Sequence, residues 1–140
     1  MKPKTLSHTT ETGVKFHEVD SLGMVCHGHY VRYFEDGREA FGKAYGIDYL
    51  TIYQNKLVTP IVNINCDYKR FLRYGDKVLI ETEYVACDAA KMNFNYRLLN
   101  SITKEVVVTG STSQVFLNSE TFALQLTNPP FFEEWKKKHL

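Results

Sequence analysis

The sequence predicts a single α+β domain in which one long helix is wrapped by a mainly antiparallel sheet of five strands. One segment, residues 29–45, repeats apolar side chains every three or four positions, which is helical spacing. The later segments alternate apolar and polar side chains, as half-buried strands do. Short polar turns join these segments. A helix that is kept apart from a run of strands is typical of an α+β domain with an antiparallel sheet.

The first elements are a strand and the long helix. Residues 12–19 are interpreted as the strand, with Gly13 at its start. The helix over residues 29–45 ends at Gly46, a good terminator. Its apolar and aromatic positions are Tyr30, Val31, Tyr33, Phe34, Ala40, Phe41, Ala44 and Tyr45. Because these positions cover more than one narrow stripe, the buried arc is wide, and we expect other elements to wrap the helix.

Four further strands follow the helix, over residues 58–68, 77–87, 92–98 and 105–118. The positions expected to face the core are Val58, Val62, Ile64, Cys66 and Tyr68 in the first, Val78, Ile80, Thr82 and Tyr84 in the second, Met92, Phe94, Tyr96 and Leu98 in the third, and Val106, Val108 and Phe116 in the fourth. Residues 131–140 are predicted to form a short last helix, begun by Pro129 and Pro130.

The composition excludes several classes of protein. A chain of 140 residues fits one domain, residues 1–140. The formal net charge of +1 argues against a dedicated nucleic-acid binder, because such proteins carry a basic stripe. No apolar run approaches the roughly 20 residues that cross a bilayer, and residues 1–10 lack the apolar stretch of a secretory signal. The three cysteines have unrelated spacings, so we expect reduced thiols and a cytoplasmic location.

Residues 20–30, Asp-Ser-Leu-Gly-Met-Val-Cys-His-Gly-His-Tyr, are the segment richest in reactive groups. The segment precedes and enters the long helix. The start of a helix exposes unpaired backbone N–H groups and the positive end of the helix dipole, so it can hold an oxygen that becomes negative during acyl transfer. We expect Asp20 to lie opposite as a carboxylate base or nucleophile. The alternative is that Asp20 only caps a turn, the commoner role for an aspartate before a glycine-containing loop.

One pattern in this segment is Asp20-x-x-Gly23-x-Val25, followed by His27 and Tyr30. It resembles the signature of the hotdog-fold acyl-CoA thioesterases, in particular of the 4-hydroxybenzoyl-CoA thioesterase-like and YbgC-like branch. Residues 33–38 and 64–78 also resemble that branch, in its aromatic helix and in its second strand with the following turn. The resemblance runs from about residue 14 to residue 118 and implies the hotdog fold, a central helix wrapped by a curved sheet.

The resemblance also implies an activity. It implies an acyl-CoA thioesterase whose coenzyme A is part of the substrate, with no metal or other cofactor. Asp20 then attacks the thioester carbonyl or activates water, and the backbone N–H of His27 polarises the carbonyl oxygen; a part for the His27 side chain stays open. The residues assigned to substrate binding are Gly23, Val25, Gly28 and Tyr30. It further implies a homodimer or homotetramer with active sites between subunits.

Two departures from the family pattern affect local shape. Cys26 stands where an aromatic or aliphatic residue is more usual, which leaves the shape of the acyl pocket open. Gly37 interrupts the long helix at a cost of about 0.5–1 kcal/mol relative to alanine, and we interpret it as a place where another part of the backbone comes close.

Glu35 and Arg38 are three residues apart, and we expect a solvated or subunit-facing ion pair without a catalytic role.

Other functions remain open from the sequence. A metal site built from His17, Cys26, His27 and His29 is a minor alternative, because a His-x-His pair at a helix start does not place both rings on one helical face. A second alternative is a non-hydrolytic module that holds an acyl thioester or a small aromatic ligand.

The cationic side chains near residue 70 are relevant to whether the acyl group is carried by coenzyme A or by acyl carrier protein. Lys69 and Arg70 are interpreted as partners of the phosphates of coenzyme A. Together with Arg73 they also fit a third alternative, a thioesterase acting on acyl carrier protein, because carrier proteins are acidic. A charge run near a turn is more often only a solvated surface.

Overall fold

The computed structural model describes residues 5–140. The elements in chain order are β1 (Thr5–Gly13), a short 3-10 helix (Phe16–Glu18), α1 (His29–Tyr45), α2 (Tyr49–Gln54), β2 (Leu57–Val58), β3 (Ile61–Tyr68), β4 (Lys77–Val85), β5 (Lys91–Asn100), β6 (Val106–Val115), β7 (Leu117–Asn118) and α3 (Pro130–His139). Five strands form one sheet in the order β1-β4-β5-β6-β3, and every neighbouring pair is antiparallel. The predicted α+β class, with one long helix on a mainly antiparallel sheet, is confirmed. No helix in this part of the chain is long and apolar enough to cross a membrane.

The long helix α1 has the predicted bounds and packs on β1, β4 and β5. Gly46 ends it in the left-handed conformation, with φ at 80°. At this end, α3 contributes Trp135, whose indole N–H donates to the carbonyl of Tyr45 at 2.8 Å. The last helix, begun one residue before its predicted start, therefore closes the C-terminal end of α1.

Gly37 allows α1 to sit close to the sheet, although not for the predicted reason. A Cβ at this position would lie 2.5 Å from Cγ2 of Ile80 and would also overlap the hydroxyl of Thr82. Side chains of β4, not another backbone, therefore fill the space that the glycine leaves. The predicted core faces of β4 and β5 are confirmed: Val78, Ile80, Thr82, Tyr84, Met92, Phe94, Tyr96 and Leu98 are all buried.

The predicted first strand, residues 12–19, is wrong except at its start. β1 covers Thr5–Gly13 and pairs with β4 along its whole length at the edge of the sheet. This edge strand carries mostly polar side chains and packs on α1 through Leu6, so its sequence lacks the apolar alternation that marks a half-buried strand. After Gly13 the chain turns, because the carboxylate of Glu18 accepts the N–H of Lys15 at 2.7 Å and closes the 3-10 helix.

The strand predicted over residues 58–68 has the expected alternation but not the expected burial. β3 begins at Ile61, and its apolar positions Val62, Ile64 and Tyr68 are 56%, 41% and 49% exposed. β3 pairs with β6 on one side only, so its other edge carries no strand among residues 5–140. The core of this chain therefore covers this face only in part, through Cys66 and the edge of Tyr68.

Two smaller features depart from the predicted order. The strand expected over residues 105–118 breaks at Phe116, which is fully buried, and β7 then leaves the main sheet to pair with β2. The short helix α2 has no counterpart in the sequence reading. Only Ile52 of its six residues is buried, so it shows no helical repeat.

Candidate active site

Asp20 closes a turn in the loop before α1. Its Oδ1 accepts the N–H groups of Leu22 and Met24 at 2.8 and 3.2 Å, so it has the turn-capping role that stood as the alternative. The side chain is exposed, and its Oδ2 accepts no hydrogen bond from residues 5–140. The turn thus fixes one oxygen of the carboxylate and leaves the other free to act on a substrate.

The loop is tied to the segment that precedes β4. Val25 is 5% exposed and donates its N–H to the carbonyl of Leu72 at 2.8 Å, so it lies in the core. Gly23 has φ at 79°, which favours glycine, and its carbonyl accepts the N–H of Tyr74. Gly23 and Val25, which the sequence predicts to bind substrate, thus hold the loop in place.

The start of α1 presents two backbone donors that have no acceptor among residues 5–140. The N–H groups of Cys26 and His29 bond to the carbonyls of Glu18 and Cys26, at 3.0 and 2.9 Å. Within residues 5–140, nothing accepts the N–H groups of His27 and Gly28, and both residues are exposed. Free donors at the positive end of a helix are suited to an oxyanion.

Glu18 and Tyr33 support this loop from inside, and the sequence reading missed them. Glu18 is only 6% exposed, and its Oε1 accepts the phenol O–H of Tyr33 at 3.0 Å as well as the N–H of Lys15. Its backbone carbonyl holds the N–H of Cys26. Burial, followed by the neighbouring Glu18 carboxylate, raises the pKa of Tyr33 well above its ordinary value. The sequence gives no signal that this glutamate is buried.

Two tyrosines join the loop to the end of β3. Tyr30 is buried in the core, and its phenol oxygen accepts the N–H of Leu72 at 3.0 Å. Tyr68 packs its ring edge-on against Tyr30 and donates its O–H to the carbonyl of His27 at 3.0 Å. Hydrogen bonding with the Cys66 side chain, followed by desolvation, raises the pKa of Tyr68 to about 12. The start of α1 therefore lies at the Tyr68 end of β3.

A large cavity lies at the other end of β3. It has a volume of about 750 Å³ and reaches the start of β3 through Thr59, Pro60 and Ile61. Its remaining walls come from α1, α2, β2, β5, β6, β7 and the segment after β7, and include Glu35, Glu39, Ile52, Met92, Phe94 and Phe122. Neither Asp20 nor His27 lines it. Glu35, which lines the cavity, comes eight residues after His27, and eight residues of helix span about 12 Å. The cavity and the start of α1 are therefore separated along the helix.

The floor and one wall of this cavity carry polar groups. Gln114 is 5% exposed and donates from Nε2 to the carbonyl of Thr59 at 2.7 Å. Asp36 lines the cavity beside Glu35, and burial, with the nearby carboxylates of Glu18 and Glu35, raises its pKa. The cavity is thus mainly apolar, with acidic groups along its α1 side.

The cations picked out from the sequence differ in their surroundings. Arg70 lies 3.0 Å from the carboxylate of Glu105, and both side chains are exposed. Lys69 is exposed and forms no ion pair within the described range, 5–140. The expected pair of Glu35 with Arg38 is wrong, because Arg38 donates to the phenol of Tyr96 at 3.2 Å. The core thus anchors Arg38.

The histidines near the loop do not gather into a ligand set. The rings of His17 and His29 lie 6.4 Å apart, edge to face. In the part of the chain that the structure covers, no three His, Cys, Asp or Glu side chains come close enough to share a metal ion.

Known proteins share this architecture. The family described as the thioesterase-like superfamily matches residues 14–136. A putative acyl-CoA thioesterase of Bacillus subtilis, YneP, is 29% identical over 112 residues, 80% of each chain. The DHNA-CoA thioesterase from Staphylococcus aureus has a TM-score of 0.85 at 25% identity, covering 94% of this chain and 89% of its own. A mutant 4-hydroxybenzoyl CoA thioesterase, complexed with 4-hydroxybenzoyl CoA, has a TM-score of 0.79 at 19% identity, covering 92% and 97%.

Proposed function

The chain belongs to the thioesterase-like superfamily and has the hotdog fold, and from this premise we propose that it is an acyl-CoA thioesterase in which Asp20 and the backbone N–H of His27 act on the thioester. It hydrolyses the acyl thioester to a free acid and the thiol of coenzyme A. One observation carries the assignment of residues. A single loop offers a free carboxylate oxygen, at Asp20, and two free N–H groups at the start of a helix.

The free groups match the charges that thioester hydrolysis develops. The carbonyl oxygen of the substrate accepts the N–H of His27, where the helix dipole stabilises its growing negative charge. In one route Asp20 takes a proton from water as the water oxygen bonds to the carbonyl carbon; the C–S bond then breaks, and the thiolate takes up the proton. In the other, Asp20 bonds to that carbon, the thiolate leaves, and water hydrolyses the anhydride. Both routes need only the free Oδ2.

A second copy of the chain completes the site in this proposal. The start of α1 is joined to β3 at Tyr68, whereas the cavity opens at Ile61, the other end of the same strand. If two β3 strands pair antiparallel about a twofold axis, the Tyr68 end of one copy lies beside the Ile61 end of the other. The loop of one protomer then faces the cavity of its partner.

The exposed face of β3 supports this pairing. Its outer edge carries unpaired backbone groups, and Val62 and Ile64 are about half exposed, features that a second strand would cover. Lys69 is exposed and directly follows Tyr68, which bonds to the loop at His27, so it is available for a phosphate of coenzyme A. Arg70 joins it once the carboxylate of Glu105 is exchanged for phosphate. A homotetramer would pair two such dimers.

Thiol release from aliphatic and aromatic acyl-CoAs tests the assignment of Asp20. Asp20→Asn keeps an oxygen that can close the turn but removes the base, so we expect kcat to fall about 10²–10⁴-fold with little change in stability. Asp20→Ala should lose as much activity and also loosen the loop. Asp88→Asn, at another exposed loop aspartate, is the matched control. Wild-type rates in both Asp20 variants would refute the proposal.

The same assay separates the alternatives. Tight binding of acyl-CoA without any thiol release would identify a binding module. Faster release from acyl carrier protein than from coenzyme A, lost on neutralising Lys69, Arg70 or Arg73, would identify the carrier protein as the donor.

Mixed dimers test the shared site. Asp20→Asn disables the loop, and Leu117→Trp fills the cavity, which Leu117 lines while half-buried. Each variant alone should be inactive. Random mixing should restore about a quarter of wild-type activity, because half of the dimers then carry one intact site out of two. A mixture that stays inactive, with mixed dimers present, would place the whole site within one chain.

A further inference from the structure

Two hairpin loops of this protein have the same sequence pattern and the same hydrogen bonds. They are Asn-Ser-Ile-Thr-Lys-Glu, residues 100–105, and Asn-Ser-Glu-Thr-Phe-Ala, residues 118–123. In each loop the asparagine Oδ1 accepts the N–H groups two and three residues later, and its carbonyl accepts the N–H four residues later. The threonine hydroxyl accepts the N–H two residues after it, at 3.2 Å in both. The loops are therefore conformational twins.

The fifth position of each loop has a left-handed backbone. Lys104 has φ at 63° and Phe122 has φ at 60°, a region that disfavours residues with a Cβ and suits glycine. The loop hydrogen bonds hold both residues there. A bulky aromatic ring is an unusual occupant of this position, and strained residues of this kind concentrate at ligand sites.

The two loops differ in what lies beside them. Phe122 lines the large cavity, and the residue is nevertheless 66% exposed. Tyr49 of α2 lines the same cavity and is 59% exposed. The twin residue Lys104 does not line this cavity. Phe122 therefore combines a strained backbone and an exposed ring with a place at the cavity rim.

We propose that Phe122 determines acyl-group specificity by closing its ring over the acyl chain in the cavity, an inference that rests on the proposed thioesterase function. A volume of about 750 Å³ is typical of a small-molecule site, and the apolar residues Ile52, Met92 and Phe94 suit a hydrocarbon or aromatic acyl group. A long acyl group reaches the ring and shields it from water, whereas an acetyl group is too short to do so. Phe122 thus favours large apolar acyl groups over short ones.

Two substitutions separate the ring from the backbone strain. Phe122→Gly removes both, whereas Phe122→Ala removes the ring and keeps a Cβ at positive φ. Lys104→Gly relieves the same strain in the twin loop, away from the cavity. We expect Phe122→Gly and Lys104→Gly to raise the melting temperature relative to Phe122→Ala and wild type, respectively.

Binding of non-hydrolysable thioethers measures specificity without turnover. We expect both Phe122 variants to bind S-octyl-CoA at least tenfold more weakly than wild type by calorimetry, and S-ethyl-CoA within twofold of wild type. Lys104→Gly should leave both affinities unchanged. Equal losses for the two thioethers, or no loss for S-octyl-CoA, would overturn the proposal, and so would a wild type that does not prefer S-octyl-CoA.

The outcomes also separate this inference from the proposed activity. If wild type releases no thiol from any acyl-CoA but binds S-octyl-CoA in a Phe122-dependent way, the hydrolysis is wrong and the specificity role stands. If hydrolysis depends on Asp20 while the Phe122 variants keep the wild-type preference, only the inference is wrong.

Discussion

Replacing Gly37 by alanine should destabilise the protein although alanine is the better helix former. The gain in helix propensity is up to about 1 kcal/mol. Against it, the new Cβ would lie 2.5 Å from Cγ2 of Ile80 and overlap the hydroxyl of Thr82. Both neighbours are fully buried and stiff about χ1, so they cannot swing away cheaply.

The expected magnitude follows from these two opposing effects. Overpacking of a buried contact costs about 1–3 kcal/mol, and two clashing neighbours place this site in the upper part of that range. The net loss in free energy of unfolding is then about 1–2 kcal/mol, or about 3–7 °C in melting temperature for a chain of this length. Urea denaturation followed by circular dichroism measures the first quantity, and calorimetry measures the second.

A compensating variant makes the reasoning specific. The hydroxyl of Thr82 has no hydrogen-bond partner within residues 5–140, so Thr82→Ala opens space beside Gly37 without breaking a bond. The double variant Gly37→Ala/Thr82→Ala should therefore be less destabilised than the two single changes added together, by at least about 0.5 kcal/mol. A Gly37→Ala protein as stable as wild type would refute the close packing of α1 on β4.

Three further changes test other contacts. Tyr33→Phe removes the hydroxyl that donates to buried Glu18 and should lower the free energy of unfolding in urea by about 1.5–3 kcal/mol; an unchanged value would count against that bond. The ultraviolet titration curve of wild type minus that of Tyr68→Phe should show one phenol that ionises near pH 12. Because the folded state holds this proton more tightly than the unfolded state, the free energy of unfolding should fall as pH rises from about 10 towards 12. Trp135→Phe removes the N–H donated to Tyr45 and should cost about 1 kcal/mol, with faster amide exchange at the end of α1.

Elements that bury a regular stripe within the chain could be predicted from the sequence. The bounds of α1 match because its wide apolar arc is buried under the sheet, and the core faces of β4 and β5 match because α1 covers them. β1 and α2 could not be predicted in this way. β1 carries mostly polar side chains at the edge of the sheet, and α2 buries one side chain, so neither shows an apolar repeat in the sequence.

For the candidate site, the sequence indicated the loop but not its support. The spacing from Asp20 to His27 identified a carboxylate and a helix start, and the free oxygen and free N–H fit that reading. The buried pair of Glu18 and Tyr33 has no such signal, because a glutamate on a polar segment reads as solvated. Phe122 was missed because nothing in its sequence position indicates a left-handed backbone beside a cavity.

The sequence predicts a buried face for β3, but the structure shows this face exposed. The difference has a physical explanation in the proposed dimer. An alternation of apolar and polar residues in a strand indicates which side chains are buried in the functional protein. These side chains need not be buried in a single copy of the chain. Val62, Ile64 and Tyr68 follow the pattern of a buried face but are exposed here. A partner on this edge would reconcile pattern and exposure, and it would also bring the loop at one end of β3 to the cavity at the other. In the proposed dimer, one contact would therefore account for both the exposed apolar face of β3 and the separation of the Asp20 loop from the cavity within one chain.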